Sequence, residues 1–431
     1  MRAENQTPPH HWTRTRLGDV STITLGGTPS TEVNAFWGGN VPWMSSGDVH
    51  QRRIRDVPGR ITEAGLASSN ATLIEPPAVA VALAGQGRTR GTVALVETRL
   101  CANQSVALIT GRPGYLHTGF LFHELGNRYE ELRARSSGGG RAGLSRRVLA
   151  AVPMCLPPIG EQRHIAEVLD TVDVVIRDTE RLIAKLRRTA DGLLAALLTV
   201  GLGEDGQLRD PSEQPAEFTM GLLGLIPRRW VLAPLCELTD PSAPIRYGIV
   251  QSGRYVPGGQ PVLTIGDLSG DFSSGLHRTA AHIDAMYARS RVRGSDVILS
   301  IKGTIGRVAV VPEWFEGNIS RDLARLRFTK GMSPRFVFHY LRGALGQRRL
   351  QLAVVGTTRA EISIHVLRRL VLPRPDPEEQ EAIVDRLDCA EVRIAREEAV
   401  LRKLKLLRRG LADDLLSGQA RVATPIVEAA S

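Results

Sequence analysis

Two short segments concentrate side chains that could meet a polyanion such as nucleic acid. One is Ala84-Gly85-Gln86-Gly87-Arg88-Thr89-Arg90-Gly91-Thr92, and the other is Ser300-Ile301-Lys302-Gly303-Thr304-Ile305-Gly306-Arg307. Each is flanked by runs with strand character, residues 79–83 and 93–96 in the first case and 297–301 and 308–311 in the second. Glycine permits tight turns and close backbone approach, so hydroxyls, amides and cations can then reach phosphates or base edges. A tight hairpin with incidental surface arginines is the plain alternative. Finding the device once in each half of the chain weighs against it. The candidate contacts are Arg88, Arg90 and Arg141 in the first half, and Gln251, Lys302, Thr304, Arg307 and Arg359 in the second.

Enzyme signatures are missing. There is no GxxxxGK[ST] and no HExxH. Gly138-Gly139-Gly140-Arg141-Ala142-Gly143 satisfies GxGxxG in letters only, because a charged helical stretch precedes it where a dinucleotide site needs a strand. Glu75-Pro76-Pro77-Ala78 lacks the aromatic residue that would stack on a flipped base. Cys101, Cys155, Cys236 and Cys389 are far apart and form no CxxC or Cys/His cluster, which argues against a zinc site or a disulfide framework. We therefore expect no catalytic, cofactor or metal residue on this chain.

The elements that position the loops emerge from self-comparison. Placing Glu161 on Glu379, an offset of 218, gives 14 identities over residues 161–198 without a gap, well beyond chance for two charged helices. The same offset sets Trp12 on Trp230, Leu17 on Leu235 and Ser145 on Ser363, while Leu156-Pro157 meets Leu372-Pro373 after a two-residue slip. The order is globular unit, helix, globular unit, helix. In residues 161–198, apolar positions recur at spacings of four and three from Ile165 to Leu197, the a/d seam of a coiled coil. The second copy keeps the seam except at Glu397 and Arg408, and polar seam residues can fix register. Each helix would be roughly 57 Å long at ~1.5 Å per residue. The expected fold class is α+β: two mixed α/β units alternating with two long helices, packed as an antiparallel coiled coil with pseudo-two-fold internal duplication. Expected boundaries are 1–155 and 229–371 for the globular units, 156–200 and 372–420 for the helices, 201–228 for a linker rich in Gly, Pro and acid, and 421–431 for a tail.

Charge follows this division. The chain carries 55 Lys/Arg against 45 Asp/Glu, and the helices contribute a net −2, so the whole excess lies outside them. Basic globular units suit phosphate contacts and balanced helices suit protein contacts. With about 42% apolar residues the chain can build real cores. No run reaches the ~20 apolar residues needed to span a bilayer, and no apolar signal core stands at the N-terminus, so we expect a soluble, cytoplasmic protein with no membrane partner.

With these residues assembled, the chain resembles the specificity subunits of Type I restriction-modification systems. The resemblance rests on Gly26-Gly27-Thr28-Pro29, Pro42-Trp43-Met44-Ser45-Ser46-Gly47-Asp48, Ile226-Pro227 with Trp230, Tyr247-Gly248-Ile249-Val250-Gln251, Ile265-Gly266-Asp267-Leu268, Gly303-Thr304-Ile305-Gly306-Arg307 and Ser320-Arg321-Asp322. It implies two target-recognition domains, each reading half of a split site in double-stranded DNA. It also implies helices that set the spacing, two methyltransferase subunits carrying S-adenosylmethionine, and ATP- and Mg-dependent restriction/translocase subunits. Strong divergence between the two globular units implies an asymmetric target. A coiled-coil scaffold or a nucleic-acid-binding protein outside restriction-modification is the competing reading, and a fused methyltransferase is a third.

Overall fold

The computed structural model describes residues 9–85, 87–135, 144–356 and 360–421. The chain forms two compact units, Met1–Glu180 with Ala399–Ser431, and Arg181–Glu398.

The first unit is built on a five-stranded sheet in the order Ser21–Leu25, Val106–Gly111, Ala78–Ala82, Val93–Val96, Arg53–Ile54. The last pair is parallel and the others antiparallel. Ala78–Ala82 and Val93–Val96 are buried at every position, and alternation assigns their side chains to opposite faces. Val79, Val81, Val93 and Leu95 enter one core with Phe120, Leu121 and Leu125 of the helix Thr118–Asn127. Ala78, Ala80, Ala82, Ala94 and Val96 enter a second core with Met44, Val49 and Ile54. The small side chains on this face let Ser46–Gln51 lie close over the sheet.

The second unit holds a four-stranded sheet in the order Arg246–Tyr247, Leu323–Leu326, Val297–Ser300, Val308–Val310, and a three-stranded sheet around Gln260–Leu263. Val297 and Leu299 face one core with Phe336, Val337 and Tyr340 of the helix Pro334–Arg342, while Ile298 faces another with Leu263 and Phe315.

A two-stranded ribbon closes each unit. Thr13 pairs with Leu156 and Arg16 with Pro153; 218 residues on, Val231 pairs with Arg374 and Pro234 with Val371. Each ribbon leads into a long helix, Ile159–Leu197 or Pro377–Ser417. Each unit contains the first part of one long helix and the last part of the other. In the first unit Ile165 and Leu169 share a core with Ala412, Leu415 and Leu416, and in the second Ile383 and Leu387 share one with Leu197 and Leu198. Within the first unit Asp173 pairs with Arg408 at 3.0 Å and Glu180 with Lys405 at 2.7 Å, so those two segments run antiparallel.

Residues 201–228, expected as a linker, are folded. They form a hairpin of Phe218–Gly221 with Gly224–Pro227, and Arg209 is buried in a 2.7 Å ion pair with Glu379. Among the described residues, no helix is long and apolar enough to cross a membrane.

Candidate nucleic-acid interface

The segments that carry the family resemblance turn out to be turns and close approaches. Ser45 receives Asp48 in a capping box, its N–H and Oγ both donating to the carboxylate at 2.7 and 2.9 Å; Thr264 and Asp267 repeat it at 2.7 Å for both bonds. Gly248 must be glycine because a Cβ there would sit 1.7 Å from the Ile319 carbonyl oxygen. These residues shape the platform that carries the loops.

In the first unit the loop joins Ala78–Ala82 to Val93–Val96, with Gly85, Gly87 and Gly91 all at positive φ. It is held from behind by the helix Tyr129–Arg135. Tyr129 donates its hydroxyl to the Arg88 carbonyl at 3.0 Å, and Arg133 donates to the Gly87 carbonyl at 2.5 Å. Pinning the main chain in this way leaves the Arg88 side chain exposed, with Arg90 half-buried. In the second unit the loop joins Val297–Ser300 to Val308–Val310. Ser300 Oγ spans it, donating to the Thr304 carbonyl at 2.6 Å and accepting from the Arg307 N–H at 2.8 Å. Gln347 clamps it by donating to the carbonyls of Gly306 and Leu341 at 2.8 and 2.6 Å. Thr304 and Arg307 are exposed, while Lys302 is half-exposed and pairs with Glu361 at 2.8 Å. Gln251 is exposed, just beyond the bridge between Ile249 and Ser320. Arg141 and Arg359 lie outside the described residues.

A second set of polar residues docks each globular body on its long helix. Gln162, buried, donates to the carbonyls of Tyr115 and Pro157 at 2.9 Å each and accepts the His117 N–H at 2.8 Å. Gln380 makes the corresponding bonds to Gly331, Pro375 and Ser333 at 3.1, 2.8 and 2.7 Å. About two turns of helix further, Nε2 of His123 meets Asp170 at 2.7 Å, and Nε2 of His339 meets Asp388 at 2.8 Å. Arg408 donates to Nδ1 of His123 at 3.2 Å, which fits a neutral ring. Burial holds both histidines below their ordinary value of 6.5, against the pull of their carboxylate partners. Asp170 and Asp388 sit below the usual carboxylate range, because hydrogen bonds from histidine and arginine outweigh their burial. His339, Asp388 and Glu391 have metal-ligand spacing among the described residues, yet Arg335 and Arg342 already hold the two carboxylates.

Sequence reading had matched the glutamines and aspartates across the two halves but missed the histidines. They recur at an offset of 216, so the 218-residue alignment does not set one on the other.

Comparison with known proteins agrees with this architecture. A crystal structure of the S subunit of a Type I restriction-modification system from M. genitalium has a TM-score of 0.57 at 15% identity, over 96% of this chain and 97% of that one. A chain from a structural study of complex assembly and conformational transition of the type I R-M system gives 0.58 at 20% identity, over 96% and 100%. In sequence, the specificity subunit of the Type I restriction enzyme EcoBI from Escherichia coli is 29% identical over 66% of this chain and 61% of its own length. The chain thus spans less than two thirds of that relative. The MjaVIII specificity subunit of Methanocaldococcus jannaschii is 22% identical over 96% of this chain and 94% of its own. The profile of the Type I restriction modification DNA specificity domain matches twice, at residues 9–188 and 245–406, which is most of the chain. With both matches spanning a globular body and part of its helix, the chain belongs to the Type I restriction-modification DNA specificity family.

Proposed function

We propose that this chain reads an asymmetric, bipartite site in double-stranded DNA and directs partner subunits to it. The observation that supports this best is the pair of glycine-basic loops. Each unit presents one, each is a strand-to-strand turn, and each is pinned through its backbone by its own unit's helix while Arg88 or Arg307 stays exposed. Preorganised main chain with free side-chain tips suits base-edge reading, where one good bidentate pair gives ~1–3 kcal/mol of discrimination. Phosphate contacts from surrounding cations supply affinity that falls with salt.

The long helices, paired as an antiparallel coiled coil related by a pseudo-two-fold axis, serve as the ruler between half-sites. Base flipping and methyl transfer belong to two methyltransferase subunits carrying S-adenosylmethionine, and cleavage to restriction/translocase subunits using ATP and Mg. This chain supplies no catalytic group. Selection of bound duplexes from a random pool is expected to yield two unlike half-sites at a fixed gap. Lengthening the first long helix by one turn should then change the gap and leave both half-sites intact. Loss of half-site identity instead would defeat the ruler, and a pool with no bipartite motif would favour a scaffold that binds protein only.

A further inference from the structure

The first unit contains a groove of about 1990 Å³ between its globular body and the segments of both long helices that belong to it. Nine Lys/Arg and five Asp/Glu line it, so its walls are net positive. Part of the excess is met by acids behind the wall, since Arg53 pairs with Asp170 and Glu97, and Arg128 with Glu124. Lys405 and Arg135 are matched by Glu180 and Glu131, but Arg14, Arg177 and Arg409 have no acidic partner within ion-pair distance among the described residues. Arg52 lines the same groove at φ 61°, its side chain partly exposed, with a 3.6 Å contact to Asp173 and its guanidinium over the Phe122 ring. A non-glycine residue at positive φ is uncommon.

The groove is continuous with the first recognition loop. His50, on its wall, hydrogen-bonds Thr89 at 3.1 Å, and Tyr129, also on its wall, holds the Arg88 carbonyl. The unpaired cations are particular to this unit. At the 218-residue offset Arg14 becomes Leu232, Arg177 becomes Ala395 and Arg409 corresponds to Asp191. The docking glutamines and histidines survived the divergence of the two halves, whereas these charges did not. They therefore serve something other than the shared fold.

We propose that this groove binds the phosphodiester backbone of duplex DNA, so that the long helices themselves contribute phosphate contacts through Arg177 and Arg409. This rests on the DNA-reading function proposed above. It makes the first unit a sequence-independent clamp as well as a reader, and gives the chain one strongly salt-dependent end. Neutralising a phosphate contact should lower the slope of log K against log salt by about 0.9 per contact.

The test uses the full-length chain carrying Arg14→Gln, Arg177→Gln and Arg409→Gln, singly and together, with thermal unfolding as a check on folding. Binding is measured against a selected duplex and a scrambled one over a salt series. The expected result is a shallower salt slope and an equal fold-loss of affinity for both duplexes, with selected half-sites unchanged. An unchanged slope in a folded triple variant overturns the proposal, and accompanying loss of methyltransferase co-purification would reassign the groove to an acidic protein surface. If the wild-type chain selects no duplex, the DNA-reading function itself has failed, which is a different outcome from an unchanged slope.

Discussion

Nε2 of His123 lies 2.7 Å from Oδ1 of Asp170, joining the helix that covers the first sheet to the long helix beneath it. The His123 side chain is fully buried, and its other nitrogen accepts from Arg408, which in turn pairs with Asp173. Removing the ring leaves Arg408 without one acceptor and Asp170 without one donor. The His123→Ala variant should lose about 1–3 kcal/mol, the cost of orphaning buried polar groups. His339→Ala should lose a comparable amount through Asp388. Denaturant titration of the single variants measures this. Losses below a few tenths of a kcal/mol would mean the globular bodies are held by apolar contact alone.

The same pair of histidines sets a pH dependence. Burial lowers both below 6.5 in the folded chain, so the unfolded chain binds more protons just below that pH. Their contribution is therefore complete above 6.5 and is lost as pH falls through the window between the unfolded and folded values. Asp170 and Asp388 also lose stabilisation in acid, but in the carboxylate range well below this window. Unfolding free energy should decline on going below pH 6.5, and the His123→Asn, His339→Asn double variant should flatten that decline. An equally steep decline in the double variant would assign it to other groups.

Much of this architecture was legible because it is written twice. Gln162 and Gln380, or Asp170 and Asp388, stand out at one offset, and each pair makes matching bonds. The charge of each long helix is divided along its length, which summing over whole helices hides. Residues 159–180 hold six acids and two bases, and 181–197 hold one acid and four bases. Residues 377–398 hold eight acids and three bases, and 399–417 hold two and five. Within each unit an acidic segment of one helix therefore meets a basic segment of the other, as Glu180 with Lys405 and Arg187 with Glu398 show. Arg408, an interruption of the apolar seam, is the partner of Asp173.

Other features lacked a local signal. The Gly-, Pro- and acid-rich composition of 201–228 reads as a linker, and only the distant Glu379 makes Arg209 a buried residue there. The groove of the first unit joins residues from six separate stretches of the sequence, which no spacing rule connects.

A glycine that abuts a tryptophan follows each long helix, Gly418 directly and Gly201 after a three-residue turn. Gly201 has φ 65° and Gly418 has φ 77°, the left-handed stop that favours glycine. A Cβ at Gly201 would lie 2.6 Å from Cζ2 of Trp230 and 2.3 Å from Oε1 of Glu379; at Gly418 it would lie 3.2 Å from Cζ2 of Trp12 and 2.5 Å from the Pro9 ring. The backbone penalty for alanine is ~1–2 kcal/mol at either site. Gly201→Ala should cost more than Gly418→Ala, because Glu379 is fixed by Arg209, the Trp230 indole and the Leu202 N–H. Melting temperatures of the two variants decide this, and a larger drop for Gly418→Ala would contradict it.

The DNA-reading role proposed for the glycine-basic loops predicts a separation of effects. Arg307 is exposed on a loop whose backbone is fixed by Ser300 and Gln347. If its guanidinium reads a base edge, Arg307→Ala should relax one position of one half-site by ~1–3 kcal/mol, roughly 5- to 150-fold. Gln347→Ala should blur the same half-site without removing any DNA contact, because it frees the Gly306 carbonyl and lets the loop drift. In the first unit Arg88→Ala and Tyr129→Phe form the matching pair, the second acting through the Arg88 carbonyl. Sequencing duplexes selected by each variant reads both half-sites at once. The second-unit variants should alter one half-site and the first-unit variants the other. Equal damage to both half-sites from any one of them would mean that the loops act through overall affinity and that bases are read elsewhere.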